Sequence, residues 1–150
     1  MVMRTVYNAT LTPAVAGAQA TMLPASIISR IVQGDPLGFG IAVAQGTTDK
    51  SIVKYSESPN RFVGITLLDR SAAGEGDTFL MGDMARVMVE GDVWVEASMV
   101  VAAGDRVYVD EDGAFTNVDT DTPVPGVRWP AAYWETSTTA PGQLAVVRIA

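Results

Sequence analysis

The feature that most constrains the fold is the stretch MARVMVEGDVWVEASMVVAAGDRVYVDEDG, residues 84–113, in which apolar and polar side chains alternate between Gly-Asp pairs. Alternation with a period of two places one set of side chains on each face of a strand. Ala85, Val87, Val89, Val93, Val95 and Ala97 share one parity, which makes theirs the core face. Arg86, Met88, Glu90, Trp94 and Glu96 share the other, with Met88 and Trp94 an apolar pair to be covered by a second layer or a partner. A three-residue loop at Glu90-Gly91-Asp92 would set Val89 against Val93, Val87 against Val95, and Arg86 against Glu96 as an opposite-charge pair. One long strand kinked at Gly91 keeps the same parity. The hairpin is the expected form, because a run from 84 to 96 far exceeds the usual strand of about 5–6 residues.

The remainder reads in the same way. SIISRIV, GFGIAVAQG, SIVKY, RFVGITLLD, GAFTNV and QLAVVRIA are β-branched runs between Gly, Pro, Asn and Asp breakers. Roughly eight to ten short strands follow, with a turn about every ten residues, and no long helix is required. Gly-Asp recurs at 34–35, 76–77, 82–83, 91–92 and 104–105, and each pair reads as a turn. The expected fold is all-β, a single compact β-barrel or jelly-roll-like sandwich over residues 27–150. It is preceded by an extended N-terminal arm over residues 1–26, rich in Ala, Thr and Pro. That arm is either a loose terminus or a segment that orders against a neighbouring subunit, with Tyr7, Leu11, Met22 and Leu23 as its anchors.

Reactive chemistry is scarce. The 150 residues include no Cys and no His, which removes disulfides, thiolate nucleophiles, Cys-type metal sites and every Ser-His-Asp arrangement. No catalytic residue, metal site or cofactor is expected. The segment DEDGAFTNVDTD gathers Asp110, Glu111, Asp112, Asn117, Asp119 and Asp121, but it lacks the EF-hand spacing. It reads as a hairpin turn at Asp112-Gly113 followed by a solvated acidic loop. A net charge of −7 with 10 scattered basic residues argues against a nucleic-acid or anionic-membrane partner. No apolar run reaches the ~18–20 residues of a membrane-spanning helix. Trp129, Tyr133 and Trp134 in GVRWPAAYW are either core plugs or anchors of an interface.

The order of IISR, FGIAVAQG, FVGITLLDR, GDMARVMVEGDVWVEA, AAGDRVYVDEDGAF, VPGVRW and GQLAVVRI resembles the structural cement, or capsid decoration, proteins of tailed bacteriophages. The resemblance implies a β-barrel or jelly roll with extended arms and no catalysis. It implies a dimer or trimer on the outer face of the icosahedral shell, bridging adjacent major capsid protein subunits, after synthesis in the host cytoplasm. Two other classes remain: a carbohydrate-binding β-module with Trp129 or Trp134 as its platform, and a histidine-free hydrolase working through carboxylates.

Overall fold

A computed structural model describes residues 15–55, 62–70, 78–110, 113–118 and 127–149. It contains nine strands and, among the described residues, no helix. In chain order they are β1 (Ser26–Val32), β2 (Ala42–Gln45), β3 (Ser51–Lys54), β4 (Phe62–Thr66), β5 (Met84–Glu96), β6 (Arg106–Val109), β7 (Phe115–Thr116), β8 (Val127–Trp134) and β9 (Leu144–Ile149).

The strands lie in the order β1-β3-β2-β4-β5-β9-β8-β6-β7, and β1 also pairs with β5. That extra pairing closes the first five into a barrel, antiparallel except for the short parallel contact of β1 with β3. Closure removes most of the edges along which sheets associate. The second half of β5 leaves the barrel and pairs with β9, from Gly91 opposite Ile149 to Glu96 opposite Leu144. Strands β8, β6 and β7 complete the second sheet. A bridge between Ala97 and Phe115 brings β7 back to the end of β5, and the Ser98 amide donates to the Phe115 carbonyl at 2.9 Å.

The expected hairpin at Glu90-Gly91-Asp92 does not form; β5 is one strand of 13 residues. Its length is supported because its two halves serve different sheets. Met84–Glu90 lies against β1 and β4, and Gly91–Glu96 lies against β9. The bend falls at Gly91, with φ 130°, where a Cβ would stand 2.8 Å from the Ala25 Cβ. Arg86 therefore never faces Glu96; it sits opposite Ser29 and donates to the Leu68 carbonyl at 3.4 Å. For the same reason the Gly-Asp pair at 91–92 is not a turn. Those at 34–35, 82–83 and 104–105 lie in turns or bends, and 76–77 lies outside the described residues.

Ala85, Val87, Val93, Val95 and Ala97 are buried and Val89 is half-buried, but they do not share one face as expected. The register against β1 steps from Met88 to Glu90 and passes over Val89, which exchanges the two faces, so that Met88 of the other parity shares a core with Val93 and Val95. The buried odd-numbered side chains divide between two cores. Ala85 and Val87 join Val32, Leu37, Val43, Ile52 and Phe79 inside the barrel. Val93, Val95 and Ala97 join Val107, Phe115, Trp134 and Val147. Ala42 and Ala44, which flank the inward Val43 on β2, also belong to this second core, as do Ile65 and Met88. The outer wall of the barrel is thus buried under the second sheet. Met88 and Trp94 are covered by the chain itself. Each fully buried Val, Ile or Phe removes apolar area worth roughly 1.5–3 kcal/mol, so the shared core couples the two sheets strongly.

Candidate interaction surface

Residues 17–20 lie along the second half of β5 as a strap, with Gln19 opposite Val93. The Gly17 amide donates to the Trp94 carbonyl at 2.8 Å, the Trp94 amide to Ala18 at 2.9 Å, and the Ala20 amide to Asp92 at 3.0 Å. The Gly17 carbonyl accepts the Leu68 amide at 2.9 Å, tying the strap to the barrel as well. Gly17 and Gly40 cross so closely that a Cβ on Gly40 would lie 2.6 Å from the Gly17 nitrogen. Both hold positive φ, and the absence of side chains is what allows the two backbones to meet.

From the strap a polar row crosses the second sheet. The Thr21 hydroxyl donates to Asp92 Oδ2 at 2.9 Å, and Arg148 Nε donates to Asp92 Oδ1 at 3.1 Å. Arg148 Nε also lies 3.4 Å from Glu135 Oε1. Across the strands, Asp92 is opposite Arg148, Arg148 opposite Tyr133, and Tyr133 opposite Arg106. Directly opposed residues share a face, so Thr21, Asp92, Arg148, Tyr133 and Arg106 form one continuous line. The Arg106 guanidinium lies 5.5 Å from the centroid of the Tyr133 ring, within cation–π range. Asp92 is 3% exposed, and its pairing supplies the hydrogen bonds that a buried carboxylate needs. The Asp92 hydrogen bond, followed by the charges of Asp92 and Glu135, holds Arg148 further toward its charged form.

The anticipated contact residues divide around this row. Tyr7 and Leu11 lie outside the described residues. Met22 is fully exposed and Leu23 half exposed in the loop that joins the strap to β1, directly after Thr21. Tyr133 is 38% exposed within the row. Trp129 is on β8, and its side chain lies outside the described residues. Trp134, left open between core and interface, is a core residue: it is 1% exposed, and its indole Nε1 donates to the Thr116 carbonyl at 3.4 Å. Sequence reasoning missed Arg106, Asp92 and Arg148. Their only shared signal was single charges on apolar strands, and long-range pairing is what assembles them.

In the acidic segment, Asp110 Oδ1 accepts the Ala114 amide at 2.9 Å inside the β6–β7 hairpin. Asn117 donates to Asp105 Oδ2 at 2.7 Å, which with the Ala102 amide holds the Asp105 carboxyl below its usual range. Glu111, Asp112, Asp119 and Asp121 lie outside the described residues. Among the described residues, no three potential metal ligands come together. No helix among them is long and apolar enough to cross a membrane.

The family described as "Structural cement protein (E217 gp24/Pam3 gp6)" matches residues 3–150. Among solved structures, the chain is similar to one from "The capsid of Myoviridae Phage XM1", with a TM-score of 0.71 at 15% identity over 99% of this chain and 98% of that one. It is also similar to "The crystal structure of head fiber gp8.5 N base in bacteriophage phi29", with a TM-score of 0.51 at 16% identity over 85% of this chain and 95% of that one. At these identities the likeness is one of fold. No curated protein matches the chain significantly.

Proposed function

The chain belongs to the phage structural cement protein family, and from that membership we propose that it binds the outer face of an icosahedral shell and bridges adjacent major capsid protein subunits. The coarser statement stands on its own: this is a structural protein of a bacteriophage virion. The observation that supports the finer reading is a family match over residues 3–150. The exposed row supports it. Arg106, Tyr133 and Arg148 form an aromatic and cationic line on a chain of net charge −7, with the exposed Met22 and Leu23 at its end. Arg and Tyr are the side chains that most often dominate interface energetics.

In this reading Met22, Leu23 and Tyr133 touch the shell, together with Trp129. Trp134 acts from beneath, fixing the β8 backbone that presents Tyr133. A homodimer or homotrimer touching several subunits converts modest contacts into avidity. The carbohydrate-binding alternative loses Trp134 as a platform, because that ring is buried.

The test is co-sedimentation with expanded shells stripped of decoration. The protein should pellet with them at micromolar concentration and raise their disruption temperature. Replacing Tyr133 and Met22 together (Y133A/M22D) should weaken binding by roughly tenfold or more, on the order of one lost anchor. Wild-type protein that stays in the supernatant sinks the proposal.

A further inference from the structure

The barrel is closed unevenly. Strand β1 pairs with β5 from Ser26 to Ile31, but with β3 only at Ile31 and Val32. The Ile31 amide points away from β5, donating to the Lys50 carbonyl at 2.9 Å. In a strand, residues two apart send their backbone groups to the same side. Ile27 and Ser29 therefore turn their amides and carbonyls to the edge that β3 does not reach. Among the described residues no strand covers that edge. The group that reaches it is the guanidinium of Arg30, whose Nη1 donates to the Ser29 carbonyl at 3.0 Å while its Nε is enclosed without an acceptor. Ile27 and Ile31 on β1, and Met84 opposite Ile31, are exposed beside it at 38%, 44% and 57%. An open edge flanked by exposed apolar side chains is a template for an added strand.

Charge says what can approach. The chain carries 17 acidic residues, yet none occurs before Asp35. The arm and β1 are thus the one long part of the chain free of carboxylates, and two copies of net charge −7 repel least where these parts meet. The arm also has the right make-up. Residues 2–12, VMRTVYNATLT, are rich in Val, Thr and Tyr, which favour strands. The chain leaves the sheet at a turn in which the Ala18 amide donates to the Val15 carbonyl, with 14 residues upstream of it. Fully extended, those residues reach about 46–50 Å.

We propose that the edge of β1 at Ile27–Arg30 is the acceptor for the N-terminal arm, residues 1–14, of a second copy, which adds to it as a strand. This rests on the cement reading, since an arm folded onto its own barrel would leave copies unlinked. Tyr7 and Leu11 then lie over Ile27, Ile31 and Met84, and the arm's carbonyls offer Arg30 Nε its acceptor.

Hydrogen exchange as a function of concentration, alongside light scattering, tests it without any shell. The Ile28 and Arg30 amides, bonded to β5, should be protected at every concentration. Ile27 and Ser29 should gain protection only as the oligomer forms, together with residues 5–11. Ser29→Pro removes an amide that serves no strand inside the chain. It should leave the circular dichroism and melting temperature of the dilute protein unchanged and weaken self-association by about tenfold, the value of one or two backbone hydrogen bonds. A protein that remains monomeric at about 100 μM, or an oligomer in which Ile27 and Ser29 still exchange freely, overturns the proposal. Protection that appears only on shells also overturns it, because the strand then comes from the shell; the binding assay above would still succeed in that case.

Discussion

Gly91 carries the bend that lets one strand serve two sheets. Alanine there meets the Ala25 Cβ at 2.8 Å and a φ of 130°, which L side chains rarely adopt. Gly91→Ala should cost about 1–3 kcal/mol, read as a lower denaturation midpoint with an unchanged slope. A second residue-level effect involves Asp105. Its carboxyl is held below the usual 3.8 by the Asn117 hydrogen bond first and the Ala102 amide second. A depressed carboxylate contributes stability that is present above its unfolded value and is lost as pH falls through its folded value. Melting temperature should therefore decline in that acid window below about 4. Asn117→Ala should flatten that decline, and a slope unchanged by the substitution would remove Asp105 as its source.

The strap is the element whose placement depends most on a single side chain. Thr21→Val keeps the shape but removes the hydroxyl that Asp92 accepts, leaving one oxygen of a carboxylate that is 3% exposed without that donor. A loss of about 1–2 kcal/mol is expected. Amides of Gly17 and Ala20 should exchange faster, while those of β9 keep their rates; equal acceleration everywhere would mean that the strap is not a separate unit. This element also marks the boundary of what the sequence made legible. The burial of most odd-numbered side chains of β5 and the strand-rich body were readable, because each depends on neighbours within a few residues. Whether Gly91 turned a hairpin or bent a strand was not, since the alternation fits both, and the register step at Val89 that sends Val87 and Val95 to different cores depends on distant partners. The decision rests with Ile149 and Ser26, far away in sequence. The row from Thr21 to Arg106 was hidden for the same reason. Trp134 and Tyr133 are adjacent in sequence, but only pairing with β9 and β6 decides which one faces water.

At the scale of the molecule, two cores share one strand. The second core includes residues from the barrel's outer wall, Ala42, Ala44 and Ile65, so neither sheet is complete without the other. Unfolding should be a single transition, with coincident midpoints by tryptophan fluorescence and far-ultraviolet circular dichroism. Ile52→Ala in the barrel core and Val107→Ala in the second core should each lower that one midpoint, by about 2–5 and 1–3 kcal/mol. A biphasic curve in either variant would separate the lobes.

The undivided course of β5 also sets how the molecule bears load. A pull that enters through the barrel passes into the second sheet along peptide bonds, and the hydrogen bonds to β1 and β9 share it in shear. Among the described residues the two lobes are joined by the backbone of β5 and by a shared core, so tension on one passes to the other.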